Sequence, residues 1–239
     1  MMRLRAVTVL LAMVLATLAV PARAAERALV LDVDGAIGPA VADYVVRELR
    51  GAAPGDVGVV VLRMNTPGGL DTSMRQIISA ILASPVPVVS YVAPSGARAA
   101  SAGTYIAYAS ALAAMAPGTN IGAATPVALG GPMLPGGSAE QKQSQNKTDE
   151  SGDTETRKVV NDAIAYIRSL AALNGRNADW AADAVRSAVS LPAADALSLH
   201  VIDVIAAELG TVGVGEYQRH HCLPHHAGGR DCAGVGALA

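Results

Sequence analysis

Phenylalanine is absent from this chain of 239 residues, and tryptophan occurs once. About half the residues are apolar, mostly Ala, Val and Leu, so any core must be aliphatic. Lysine is scarce too: Lys142, Lys147 and Lys158 are all there are. Charge of neither sign dominates, the net value being −2, and the basic residues are dispersed. That distribution offers no footing for nucleic acid or an anionic membrane surface as the main partner. The two cysteines, Cys222 and Cys232, lie near the C-terminus, so the main domain cannot depend on disulfides. Four of the five histidines (His220, His221, His225 and His226) share that tail, leaving His200 alone in the body of the chain. A Ser-His-Asp triad is therefore poorly supplied.

Apolar runs are short everywhere except at the start. Arg3 and Arg5 precede an uncharged, mostly apolar stretch over residues 7–20, then Pro21 and Ala22-Arg23-Ala24. A positive region, an apolar run and a small-x-small site read as a secretory signal peptide, residues 1–24, cut after Ala24. The run falls short of the roughly 20 residues a membrane span needs. Left uncleaved, it would instead anchor the chain. Either way the domain is expected outside the cytoplasm, periplasmic or otherwise extracytoplasmic.

Between residues 25 and 208 apolar runs alternate with helical spacing. Strands are expected at residues 28–33, 57–63, 86–92, 112–115 and 201–206. The second is continuously apolar, as a strand buried on both faces would be. Helices are expected at 37–50, 70–83, 101–110 and 158–173, with two shorter ones after Asn177 and Pro192. Asn174-Gly175 closes the 158–173 helix as a C-terminal cap. This β-α-β-α order implies an α/β fold with a mainly parallel sheet and right-handed crossovers. Residues 130–156 are polar and Gly/Pro-rich and read as a surface segment.

Three glycine-containing turns follow strands: Asn65-Thr66-Pro67-Gly68-Gly69, Ala99-Ala100-Ser101-Ala102-Gly103 and Ala116-Pro117-Gly118-Thr119-Asn120-Ile121-Gly122. Ligands of parallel α/β sheets bind at the carboxyl ends of strands, so the turns are expected to converge. Ser101 stands among Ala and Gly where a helix should begin. Helix N–H groups would point at it, and small neighbours let a substrate backbone approach. The N–H of Ala102 and one from Gly68 or Gly69 could cradle an oxyanion. The bland readings are a helix cap and an ordinary turn.

A serine nucleophile needs a base. Without a core histidine, the alternative is a lysine neutralised by burial. Lys142 and Lys147 lie in the polar segment, whereas Lys158 opens an amphipathic helix beside Val159 and Val160. A helix N-terminus disfavours positive charge, in the direction a base requires. The alternative is a solvated surface lysine.

Asn65-Thr66-Pro67-Gly68-Gly69-Leu70, the run from Ala99 to Ala107, and the run from Met115 to Ala123 resemble the membrane-bound serine proteases of the NfeD family. These are ClpP-class enzymes with a Ser-Lys dyad. Residues 158–171 followed by Asn174-Gly175-Arg176-Asn177 resemble the family's lysine helix. The resemblance covers about residues 28–206. It implies a Clp-protease/crotonase-like β-superhelix with flanking helices. It also implies Ser101 as nucleophile, Lys158 as base, and Gly69 and Ala102 as oxyanion donors with Gly68 close behind. It implies cleavage of apolar polypeptide segments and a stomatin-like membrane protein as partner, with no cofactor or metal. Where the family has Gly before Val-Ile-Asp, this chain has His200, which must then adopt a left-handed turn.

Residues 209–239 show no periodicity. Their Cys/His content matches no standard zinc spacing, a Cys222–Cys232 disulfide is open to an exported chain, and the abrupt change in composition suggests a frameshifted or truncated end. The superfold often assembles, so a homo-oligomer is expected. Two other functions share the fold: an inactive partner-binding domain, and a crotonase-type acyl-thioester enzyme using the oxyanion donors without a nucleophile.

Overall fold

The computed structural model describes residues 27–126 and 150–209. The expected signal peptide, the part of the polar segment up to residue 149 with Lys142 and Lys147, and the Cys/His-rich tail from residue 210 lie outside the described residues.

Five strands form a parallel sheet in the order β1-β2-β3-β5-β8. They are β1 (Arg27–Asp34), β2 (Val57–Asn65), β3 (Val88–Val92), β5 (Leu112–Met115) and β8 (Val204–Ile205). Leu31 pairs with Leu62 and Val61 with Val89, so the apolar runs lie side by side. As its unbroken apolar run implies, β2 is buried on both faces. Val60, Leu62 and Met64 join the main core. Val59 and Val61 point the other way, among Val89, Tyr91, Leu112 and Ala114. Strand alternation by two makes this division.

Helices α1 (Pro39–Gly51) and α2 (Asp71–Leu82) bury apolar stripes: Ala42, Val45 and Leu49 on the first, and Met74, Ile77, Ile78 and Ile81 on the second. Pro39 pre-sets the first turn of α1. Helix α3 (Ala102–Ala109) is buried at every residue, which its all-round apolar sequence permits. Tyr108 on α3 stacks on Trp180 at 6.3 Å, the large contact that phenylalanine would otherwise supply. Helix α5 (Ala178–Arg186) starts where Asn177 Oδ1 accepts from the N–H groups of Asp179 and Trp180. Gly175 takes φ +65° just beyond the preceding helix. His200 adopts φ +57° after α6 (Ala193–Ser198), the left-handed turn its position requires.

A second sheet is a feature that the apolar pattern did not announce. Strands β4 (Arg98–Ala100), β6 (Asn120–Gly122) and β7 (Ser190–Pro192) have three residues each, β6 being parallel to β4 and antiparallel to β7. The last strand is shorter than residues 201–206. Val201 and Ile202 both donate backbone N–H to Ala196 O, which holds them in a turn, and only Val204–Ile205 pair. The largest correction concerns α4 (Glu150–Leu173), which begins eight residues before Lys158. Its first turns lie in the stretch expected to be irregular, because polar composition serves a solvated helix as well as a loop.

A buried ion pair locks the far end of the core. Arg176 Nη2 donates to Asp203 Oδ2 at 2.6 Å, and its Nη1 donates to the carbonyls of Ala107 and Tyr108 at the end of α3. The same Asp203 oxygen accepts the Ala113 N–H of β5.

Candidate active site

The three glycine turns do converge. Thr66 forms a bridge with Ala99, and Ile37 forms one with Gly69. Backbone bonds draw them together: Thr66 N–H donates to Arg98 O, Ala100 N–H to Thr66 O, and Ser101 N–H to Gly122 O. Residues from the ends of β1, β2, β4 and β6 thus meet in one place.

Ser101 is half-buried between β4 and α3, with φ +51° and ψ −115°. This conformation is costly for a non-glycine residue, and such strain concentrates at functional sites. The position is a helix N-cap, yet the hydroxyl makes no capping bond. Among the described residues its Oγ has no recorded hydrogen bond, unlike that of an ordinary serine cap. Thr104 secures the turn from below: its hydroxyl is placed at 3.0 Å from Ala99 O and 2.8 Å from Gly122 O.

Gly68 and Gly69 face Ser101 for different reasons. A Cβ on Gly68 would fall 2.5 Å from Ser101 Cβ and 3.0 Å from its Oγ, so only glycine permits this approach. Gly68 has φ +108°. Its N–H donates to Thr66 Oγ1 at 3.0 Å, and its carbonyl accepts from Ile37 N–H at 2.8 Å. A Cβ on Gly69 would collide with the Ile37 backbone. Among the described residues no acceptor is recorded for the N–H of Gly69 or Ala102. Gly68's donor is occupied, while those of Gly69 and Ala102 are open.

A cavity of about 650 Å³ opens beside these groups, lined by Ile37, Leu70, Met74, Tyr105 and Ala163 together with Ser101, Gly69 and Ala102. Burial pushes the Tyr105 phenol well above its usual range, so it stays a neutral donor, placed 3.4 Å from Ala124 O. It cannot serve as a base near Ser101 at neutral pH.

Lys158 is not brought to Ser101 by any recorded contact. It is exposed, in the third turn of α4 rather than at its start, and makes no hydrogen bond or ion pair among the described residues. Its helix nevertheless forms part of the cavity wall through Ala163, about 7.5 Å further along the axis. A charged pin holds that helix. Arg75 of α2, which also lines the cavity, bonds Asp71 at 2.9 Å and Asp162 of α4 at 2.7 Å, and lies 4.4 Å over the Tyr166 ring. The sequence reading missed Thr66, Thr104 and this pin. The Asp71–Arg75 spacing of four was a signal for half of the pin. Thr66, two residues before Gly68, was a signal for a hydroxyl-closed turn.

The parallel sheet, flanking helices and glycine-rimmed serine define the ClpP-like α/β class, to which solved protease domains belong. Within it, the NfeD1b N-terminal domain model matches residues 27–222, and the chain belongs to that family. It is 39% identical over 196 residues to the membrane-bound protease PH1510 of Pyrococcus horikoshii, an alignment covering 82% of this chain and 41% of that protein. It is 37% identical over 95 residues to the membrane protein NfeD1b of Bacillus subtilis, covering 40% of this chain and 21% of that protein. The chain therefore spans about two fifths or less of the length of these curated relatives. Among solved structures, a serine-to-alanine variant of the 1510-N membrane-bound stomatin-specific protease matches with a TM-score of 0.66 and 36% identity, over 79% of this chain and 84% of that one. A lysine-to-alanine variant of that protease, in complex with a substrate peptide, matches with a TM-score of 0.64 and 35% identity, over 82% and 80%.

Proposed function

We propose that residues 25–208 form a serine endopeptidase domain working outside the cytoplasm after an exported start, cutting apolar segments of a stomatin-like membrane protein. Ser101 is the nucleophile and Lys158 the general base. The observation that carries this reading is the strained, uncapped Ser101, with its free hydroxyl beside the open N–H groups of Gly69 and Ala102.

In this reading the chemistry is acyl transfer to serine. A substrate carbonyl lies with its oxygen toward the two N–H groups. Ser101 Oγ attacks the carbonyl carbon while its proton passes to the Lys158 amine, and the carbonyl electrons collect on the oxygen. As the tetrahedral intermediate collapses, the C–N bond breaks and Lys158 returns the proton to the departing amine. Water then attacks the acyl–Ser101 ester, with Lys158 again taking and giving the proton. Gly68 supplies room rather than a donor, since its N–H already serves Thr66. Apolar lining by Ile37, Leu70 and Met74 supports an apolar substrate. Support for the pair also comes from the 1510-N neighbours, solved with a serine and with a lysine replaced by alanine.

One observation favours a second reading, an inactive partner-binding domain: the exposed Lys158 has no partner among the described residues. Labelling of the full chain by a fluorophosphonate, together with hydrolysis of an apolar peptide, separates the two. Labelling should vanish in Ser101→Ala, and hydrolysis should vanish in both Ser101→Ala and Lys158→Ala. An unlabelled wild-type chain that still binds its partner would establish the inactive reading. Peptide hydrolysis surviving in Lys158→Ala at the wild-type rate would remove Lys158 from the mechanism. A chain that ignores the probe yet turns over an acyl thioester would instead be a crotonase-type enzyme.

A further inference from the structure

Thr66 is fully buried at the end of β2, where it meets β4, the first turn of α3 and the Gly68 turn. Its backbone is fastened on both sides to β4, through Arg98 O and Ala100 N–H, one residue before Ser101. Its methyl lies against the first turn of α3, where a Cβ on Gly103 would come within 2.7 Å of Thr66 Cγ2. Its hydroxyl accepts the Gly68 N–H at 3.0 Å and lies 3.3 Å from the Gly68 carbonyl oxygen.

The consequence appears one peptide further on. In a trans peptide the C=O and the following N–H point in opposite directions. The Gly68 carbonyl is directed to Ile37 N–H at 2.8 Å. The Gly69 N–H of the same peptide must then point away from Ile37. Gly68 has no Cβ and a φ of +108°, so nothing in its own side chain prevents that peptide from rotating. Four bonds hold it among the described residues: Ile37 N–H and the Thr66 hydroxyl on the Gly68 carbonyl, Thr66 Oγ1 on the preceding N–H, and Leu70 N–H on the Ile37 carbonyl beyond.

We propose that Thr66 is a positioning residue: its hydroxyl fixes the Gly68–Gly69 turn so that the Gly69 N–H faces the carbonyl attacked by Ser101. This rests on the protease reading above. Without the hydroxyl, the Gly68 N–H loses its partner and the turn can rotate to find another. The donor aimed at the developing oxyanion is lost for part of the population. Substrate binding in the apolar cavity, which Thr66 does not line, is untouched.

The test uses the full chain with Thr66→Val, which keeps the shape and removes the hydroxyl, and Thr66→Ser, which keeps the hydroxyl and removes the methyl. For peptide hydrolysis, Thr66→Val should lower kcat about 10- to 100-fold with KM within about twofold, since loss of one oxyanion donor costs about 100- to 1000-fold when complete. Fluorophosphonate labelling of Ser101 should slow in parallel, and Thr66→Ser should recover most of both rates. A readout independent of catalysis is amide hydrogen exchange at Gly68, which should quicken in Thr66→Val but not in Thr66→Ser. Equal kcat in wild type and Thr66→Val would overturn the proposal, as would equal damage by Val and Ser, which marks a packing role. Unchanged exchange at Gly68 would overturn it even in a chain without activity. A wild-type chain that neither labels nor cleaves would overturn the protease reading, leaving the exchange result to judge the turn itself.

Discussion

Gly68→Ala should disable the site far more than it destabilises the fold, and a second glycine separates the two effects. Gly68 has φ +108° and Gly118 has φ +75°, so alanine is strained at both. That backbone cost is about 1–2 kcal/mol per position. For a domain of this size it corresponds to a fall in Tm of about 2–8 °C. Gly118 has nothing within 4 Å of its missing Cβ, so the backbone cost should be all that Gly118→Ala shows. At Gly68 the new Cβ meets Ser101 Cβ at 2.5 Å, against an ordinary carbon–carbon contact of about 3.5–4.0 Å. Ser101 or the glycine turn must yield by about 1 Å, and displacement on that scale can cost about 100-fold in rate. Thermal melting and kcat/KM for an apolar peptide would be measured on both variants beside wild type. Gly118→Ala should retain its rate with a lowered Tm, and Gly68→Ala should lose about two orders of magnitude in rate. Gly68→Ala cleaving within threefold of Gly118→Ala would refute the claim that the turn is fitted to Ser101.

Two further perturbations test the fold around the site. Asp203→Ala removes the partner of Arg176, whose side chain is only 1% exposed, and should cost about 3 kcal/mol in chemical denaturation; a loss under about 1 kcal/mol would mean that the Ala107 and Tyr108 carbonyls suffice. His200→Gly relieves a left-handed turn at a cost in unfolded-chain entropy, about 1–2 against about 0.5–1 kcal/mol, so Tm should hold or rise by up to about 6 °C; a lower value would show that the histidine is not strained there.

Much of the fold is legible in the sequence because its elements obey a single period. The continuous apolar run of β2 and the stripe Met74, Ile77, Ile78, Ile81 leave little choice. Asn177 and Gly175 mark the helix boundaries by local chemistry alone. Strands β4, β6 and β7 escape because three residues are too few to set up an alternation, and their pairing is decided by distant partners. The start of α4 escapes because solvated helices and solvated loops share a composition. Ser101 is legible as a motif, but its φ of +51° is not, since Gly122 and Thr104 impose it from elsewhere in the chain. The distinction between Gly68 and Gly69 as donors depends on Thr66 Oγ1 taking up the Gly68 N–H, a local turn that the spacing of two allows but does not require.

The convergence of strand ends has a consequence for when the chain can act. Ser101 takes its conformation with help from Gly122, and the Gly68 peptide is held by Ile37. Each hold joins segments that a growing or partly unfolded chain has not yet brought together. A chain broken between Ile37 and Gly122 should therefore lose the geometry at Ser101, and in the protease reading cutting ability should appear only once these segments have packed together.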